Sequence, residues 1–389
     1  MGLSSEAYSQ SYNYARVAID LALARGGDQA VIKDCNGITY YGGKRDQTSR
    51  NTRVKARVKA EALREFITVK DKIFVMGHQL TDVDSFGAAI GIYRAANALE
   101  KRAYIVINEV SASLKPLYTA YENNPDYPER LFLNSAEALE LADESSMVVV
   151  VDTNRPGMTE CEELLHVAKT IVVLDHHRQS SDNIDNALLS YIEPYASSAC
   201  EMVSEVLQYI VDDIKIPNLE ASSLYAGIMI DTNNFMNKTG VRTFEAAAFL
   251  RRSGADITLV RKMFRDDMES YRAKAQIISS AEVYHNKYAI ARGENLTIES
   301  PTIIGAQAAN ELLDINEVKA SFVLTTYNGR IYVSARSIDE VNVQIIMERL
   351  GGGGHMNASG AQFDHTDMDE AVADLKQVID DVIEGGEIE

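Results

Sequence analysis

The chain has 389 residues, more than one hydrophobic core normally supports, so two or three folding units are expected. Hydrophobic residues make up 46% and charged residues 24%, ordinary for a soluble globular protein, but the net charge is −19. Tracking along polymeric DNA or RNA needs a basic stripe, which no run of Lys and Arg supplies, so an anionic substrate would need metal ions and a few placed arginines.

Residues 8–29 read as a helix ending at Gly26-Gly27, and 38–42 as a short strand after the turn at Asn36-Gly37. A charged segment over 43–68, with Val54, Val58, Leu63 and Phe66 at helical spacing, reads as a connecting helix. From residue 72 strands and helices alternate: strands at 73–76, 104–107, 147–151 and 171–174, and helices at 86–98, 197–211 and 219–230. Apolar, β-branched strands separated by helices predict a parallel sheet covered on both faces. Residues 242–284 read as mostly helical, with a break at Gly254 and a linker helix over 253–284. Beyond 285, strands at 288–290, 320–327 and 330–337, a hairpin turn at Asn328-Gly329, and helices at 302–313, 339–349 and 367–384 predict a smaller mixed α/β unit. Cys35, Cys161 and Cys200 lack CxxC spacing, which argues against a disulfide framework or zinc ribbon and fits a reducing cytoplasm. No apolar stretch approaches the ~20 residues that cross a bilayer, and the N-terminus lacks the order of a signal peptide.

The chemistry gathers where predicted elements end. Strand 73–76 runs into His78, Asp82 and Asp84; strand 147–151 ends in Asp152; strand 171–174 ends in Asp175-His176-His177; helix 219–230 ends in Asp231. Ligands of open α/β sheets bind at the C-terminal strand edge. Taken singly, Asp152 or Asp231 reads first as a helix cap. Together, carboxylates this close would repel and take up protons unless divalent cations offset their charge. The mixed carboxylate and imidazole set suits manganese, iron, cobalt or zinc. Two such ions about 3.5–4 Å apart can activate water and hold phosphoryl oxygens. In the second unit, Gly351-Gly352-Gly353-Gly354-His355 leaves backbone amides bare for an anion, although a glycine run is also a linker composition. Ser334 and Arg336 end a strand shortly before it, and Asn357 follows, so a phosphate or base contact is expected there.

These motifs resemble the DHH phosphoesterase superfamily: Asp175-His176-His177, His78-x3-Asp82-x-Asp84, Asp152 and Asp231, with the GGGGH segment 351–355 similar to the signature of its DHH-associated C-terminal domain. The likeness covers roughly 70–385. It implies an α/β, two-domain phosphoesterase: a parallel-sheet metal-binding domain over 69–252, and a substrate-binding domain over 285–389, with the active site in the cleft between them. It implies one metal held by His78, Asp82 and Asp152, and a second by Asp84, His176 and Asp231, with Asp152 bridging. Manganese is the expected ion. His177 would join Asp152 and His176 in the catalytic machinery, orienting ligand or phosphate, while Asp175 supports the two histidines. Gly352, Gly353, Gly354, His355, Ser334, Arg336 and Asn357 would hold the substrate. The family often has proline before the first Asp, where this chain has Thr81.

Arg25-Gly26-Gly27-Asp28-Gln29 resembles the end of a degenerate GGDEF domain, here 1–42, joined to the rest by the connecting helix. That order is similar to the membrane-anchored GdpP-type cyclic-di-AMP phosphodiesterases of Gram-positive bacteria. It implies a piece of a longer protein at the cytoplasmic face of the membrane, with no membrane contact of its own and no polymeric nucleic acid as substrate. The implied reaction opens cyclic di-AMP to 5′-pApA, with slower cleavage onward to AMP, by a homodimer. Enzymes of linear dinucleotides, the nanoRNases and adenosine-bisphosphate phosphatases, would share the motifs but lack the GGDEF-like piece. Single-strand exonucleases would need a basic channel, and family II pyrophosphatases a serine–arginine–lysine motif in place of the glycine run. A decayed site that senses a nucleotide without cleaving it conflicts with the complete ligand set.

Overall fold

The computed structural model describes residues 14–16, 18–19, 29–34, 37–42 and 49–385, apart from 180–181, 266, 295, 299, 339–340 and 365–366. Of the N-terminal helix expected over 8–29, residues 14–16 and 18–19 are helical, most of the others lying outside the described residues. Its end is corrected: Gln29–Asp34 is a strand (β1) paired antiparallel with Gly37–Gly42 (β2). The connecting helix α1 spans Ser49–Thr68, and its predicted start over 43–48 falls outside the described residues.

The chain divides into two units, 1–264 and 265–389, a boundary within the linker expected over 253–284. In the first unit the order is β3 (Lys72–Met76), α2 (Val83–Ala98), β4 (Arg102–Val106), α3 (Lys115–Glu122), β5 (Phe132–Leu133), α4 (Ser135–Leu141), β6 (Met147–Val151), α5 (Leu164–Val167), β7 (Thr170–Asp175), β8 (Leu189–Ile192), α6 (Ala199–Ile210), α7 (Asn218–Asp231), α8 (Val241–Arg252) and α9 (Ile257–Met263). The strands form one parallel sheet in the order β5-β4-β3-β6-β7-β8. The chain builds outward from β3 to β5, then returns to lay β6 against β3. That reversal opens a crevice at the C-terminal strand ends, the usual ligand site of such sheets. The expected strands are present, and β5 and β8 are added at the two edges.

Burial explains the strand sequences. All five residues of β6 are buried, as is all of β7, because helices cover both faces. Ile73 and Val75 pack on one side with residues of α1, α2, α6 and α7, while Phe74 and Met76 pack on the other with Val148, Val150 and Leu164. The period-2 alternation therefore separates two apolar layers rather than core from solvent.

The linker helix expected over 253–284 is instead α9, α10 (Met268–Ser279) and a strand β9 (Glu282–Tyr284). Asp267 caps α10 by accepting from Glu269 and Ser270 amides, which starts a new helix where a continuous one was expected. The second unit continues with β10 (Tyr288–Gly293), α11 (Pro301–Leu312), β11 (Ala320–Tyr327), β12 (Arg330–Ser337), α12 (Val343–Arg349), β13 (Gly353–His355), β14 (Ala358–Phe363) and α13 (Met368–Glu384). Its mixed sheet runs β13-β14-β12-β11-β10-β9, with only β10 and β11 parallel. Among the described residues, no helix is long and apolar enough to cross a membrane.

Candidate metal centre

Asp82 stands where α2 begins. It is the N-cap of α2, its Oδ1 accepting from the Ser85 amide at 2.9 Å, while its Oδ2 lies 3.6 Å from His78 Nε2. One oxygen caps the helix and the other remains available to a cation. His78 stands two residues beyond β3, its Nδ1 donating to the Gln79 carbonyl at 2.8 Å, which leaves Nε2 facing Asp82 and Asp152. Such an outer hydrogen bond is how metal-binding imidazoles are oriented. The Thr81 hydroxyl donates to Glu160 Oε1 at 2.8 Å, so the residue standing in place of proline ties this loop to the segment after β6.

Asp152 follows β6 directly, with a left-handed φ of +60° and its amide donating to the Leu174 carbonyl. It is 3% exposed and lies between the histidines: Oδ2 is 3.5 Å from His78 Nε2 and Oδ1 is 3.3 Å from His176 Nε2. His176 Nε2 also faces Asp231 Oδ2 at 3.8 Å and Asp84 Oδ2 at 3.9 Å. The six side chains thus form two groups, His78–Asp82–Asp152 and Asp84–His176–Asp231, linked by a third, Asp152–His176–His177, with donor atoms in each group within 4.8 Å of one another. Asp152 touches both.

The arrangement fits divalent cations. Asp152 Oδ1 and Asp231 Oδ2 are buried and accept no hydrogen bond, although a buried carboxylate oxygen normally has a partner. Burial, then the charges of Asp152 and Asp231, push Asp84 well above the usual carboxylate range, and burial raises Asp231 as well. For His78 burial alone would lower the pKa, yet the Asp152 and Asp82 carboxylates facing its ring raise it to about 11. The same opposition, led by Asp152, raises His176 to about 10. This much charge frustration is what bound cations would relieve.

Two elements absent from any local pattern set the geometry. The amides of Ala199 and Cys200, in the first turn of α6, donate to Asp84 Oδ2 and Oδ1 at 2.7 and 2.9 Å, so the helix N-terminus grips this carboxylate. The close approach of α2, α6 and α7 rests on glycine: a Cβ on Gly227 would stand 2.3 Å from Cys200 Sγ and 3.0 Å from Asp84 Cα. Asp231 lies one helical turn further along α7. Gly227→Ala is therefore expected to destabilise the protein by about 1–3 kcal/mol, measured by urea unfolding. An unchanged midpoint would mean that the helices part without strain.

Asp175 differs from expectation in one respect. Its Oδ1 accepts from His177 Nδ1 at 2.9 Å and from the His177 amide at 3.1 Å, and its Oδ2 from Asn154 Nδ2 at 2.5 Å. It orients His177 rather than both histidines. His177 is half exposed, and its Nε2 is free of that pairing. Asn154, which no sequence pattern singled out, fixes the carboxylate that fixes the ring.

In the second unit the glycine run is a strand edge rather than a loose loop. Gly353–His355 pairs with β14, and a Cβ on Gly352 would stand 2.1 Å from the Gly360 carbonyl. Ser334 and Gly352 line a cavity of about 350 Å³ with Thr302, Tyr332, Gly360 and Gln362. Gly353, Gly354, Arg336 and Asn357 do not line it, and the His355 side chain lies outside the described residues. Arg336 donates to the Ala335 carbonyl and, among the described residues, has no carboxylate partner; burial pulls its pKa down. Asn357 donates to Ser337 and so ties the β13–β14 turn to β12.

Residues 72–228 match the DHH family, N-terminal domain, and residues 296–384 match the DHHA1 domain. The chain is 42% identical over 376 residues to the cyclic-di-AMP phosphodiesterase GdpP of Geobacillus thermodenitrificans, covering 96% of this chain and 57% of that protein. It thus spans less than two thirds of that relative's length. It is 29% identical over 304 residues to the bifunctional oligoribonuclease and PAP phosphatase NrnA of Mycoplasma genitalium, covering 75% of this chain and 88% of the relative. The fold is similar to that of an exopolyphosphatase-related protein from Bacteroides fragilis, with a TM-score of 0.68 at 21% identity, covering 84% of this chain and 96% of that one.

Proposed function

We propose, for a chain that belongs to the DHH family and carries its DHHA1 domain, metal-dependent hydrolysis of cyclic di-AMP to linear 5′-pApA, with slower cleavage onward to AMP. The observation that carries the substrate is the 42% identity, across nearly the whole chain, to a relative named for that activity. The centre itself supports phosphoester hydrolysis by any member with this donor set.

His78, Asp82 and Asp152 would hold one divalent cation and Asp84, His176 and Asp231 a second, with Asp152 shared; manganese suits the mixed oxygen and nitrogen donors. Bound there, the pair supplies an activated water and offsets the charge of the phosphoryl oxygens. The chain's own residues do the positioning. The α6 amides fix Asp84, so its carboxylate is preorganised rather than recruited. Asp175 holds His177 by Nδ1, presenting Nε2 to bind the phosphate or to protonate the leaving 3′ oxygen. Arg336, Ser334, His355, Asn357 and Gly352 to Gly354 would hold the distal nucleotide. In the whole protein we place this chain at the cytoplasmic face of a membrane, as a homodimer packed through α1, where Val54 and Val58 stand exposed one turn apart.

The test is chromatography of products from cyclic di-AMP with Mn²⁺. The expected result is rapid appearance of 5′-pApA and slow AMP. If cyclic di-AMP stays intact while 5′-pApA gives AMP, the protein acts on linear dinucleotides, as its 29% identical relative's name describes.

A further inference from the structure

A second constellation adjoins the centre through the backbone and takes no part in the chemistry above. Arg242, in the first turn of α8, has a side chain only 13% exposed that faces three carboxylates. It donates to both oxygens of Glu205 at 2.8 and 2.7 Å, and lies 3.5 Å from Glu201 and 3.7 Å from Glu193. Two of these lead to the centre or to a neighbouring element. Glu201 follows Cys200, and its Oε2 accepts from the Ser197 and Thr243 hydroxyls at 2.6 and 2.7 Å, fixing the turn whose next amides grip Asp84. The Glu193 amide donates to the Asp175 carbonyl at 3.0 Å, and its side chain meets Lys55 of α1 at 3.0 Å.

A buried guanidinium against three carboxylates is a poor way to gain stability, since apolar residues of similar volume often do as well. What an apolar core could not do is set the direction in which the first N–H groups of α6 point. We propose that Arg242, acting through Glu201, is a positioning residue for the metal centre: it holds the α6 N-terminus in the register that aims Asp84 at its cation. The inference rests on the two-metal reading.

The test uses Glu201→Gln, nearly the same shape without the charge, beside Arg242→Lys. Each metal-free protein is titrated calorimetrically with Mn²⁺, and kcat and KM for cyclic di-AMP are measured separately. Outer partners of metal ligands typically contribute 10–100-fold in affinity or activity. Mn²⁺ affinity and kcat are expected to fall about tenfold or more, with KM changed by less than about twofold. A structural role alone would lower the melting temperature and leave the Mn²⁺ Kd of the folded protein unmoved. Should Arg242→Lys fail to fold, Glu201→Gln decides the matter alone. Wild-type affinity in folded Glu201→Gln overturns the proposal while leaving the metal reading intact. A wild-type protein that binds no Mn²⁺ overturns both.

Discussion

Asp152→Asn is expected to lower kcat by on the order of 10³-fold or more, with the fold retained. Metal assistance to phosphoryl transfer contributes several kcal/mol, and each 1.4 kcal/mol is about tenfold in rate. Asp152 belongs to the His78–Asp82–Asp152 group and lies 3.3 Å from His176 of the other, so its loss is expected to weaken two sites at once. Asparagine is the substitution of choice because the position has a φ of +60°, which asparagine tolerates better than most residues. It also preserves the backbone donation to Leu174. The measurement pairs steady-state kinetics on cyclic di-AMP with calorimetric counting of bound Mn²⁺. A variant that retained both ions and turnover within tenfold of wild type would remove Asp152 from the centre. The same loss in Asp152→Asn and Asp231→Asn, without change in circular dichroism, would mark a chemical rather than structural role.

The second large effect is on metal affinity as a function of pH. In the metal-free protein His78 titrates at about 11 and His176 at about 10. Between pH 7 and 9 both rings therefore carry protons, whereas an imidazole that ligates a cation must be neutral. Each cation bound displaces a proton from its histidine, so affinity strengthens as pH rises and the gain stops only above the two pKa values. One proton per site corresponds to about tenfold per pH unit, hence about 100-fold between pH 7 and 9. Acidification works in the opposite direction, adding protons on Asp84 and Asp231, whose pKa values burial has raised. Calorimetry in buffers of differing ionisation heat counts the protons released. Affinity that stays flat over this range, with no proton release, would show that these imidazoles are not ligands. Chelation at constant pH should abolish hydrolysis and Mn²⁺ readdition restore it.

The donor residues were legible because each follows an element with a strong local signature. Met147 to Val151 and Ile171 to Leu174 are unbroken apolar runs, and a run of that kind must end at a sheet edge, where Asp152 and His176 stand. The short edge strands were not legible: Phe132-Leu133 has too few residues to show a period, and Leu189–Ile192 carries a serine in an apolar context. The strand β1 was missed for a different reason, since the helical reading ran through its first residue. The glycine run shows how composition misleads: four glycines suggest a mobile loop, yet Gly352 and Gly354 stand where β14 approaches too closely for a side chain, a Cβ there meeting the Gly360 carbonyl at 2.1 Å and Ser359 Cα at 2.6 Å.

By itself, the order of residue types determined which carboxylates and imidazoles exist, that they stand at element ends, and that the chain carries a parallel-sheet unit and a smaller mixed one. These are local properties, written in hydrophobic period and residue type over a few positions. The tertiary structure alone decided that β6 lies against β3, that Gly227 lets α7 close on α2, and that the α6 N-terminus faces Asp84. Each of these depends on segments many residues apart packing together, and packing is set by the fit of whole surfaces. No local window of sequence contains both halves of such a contact.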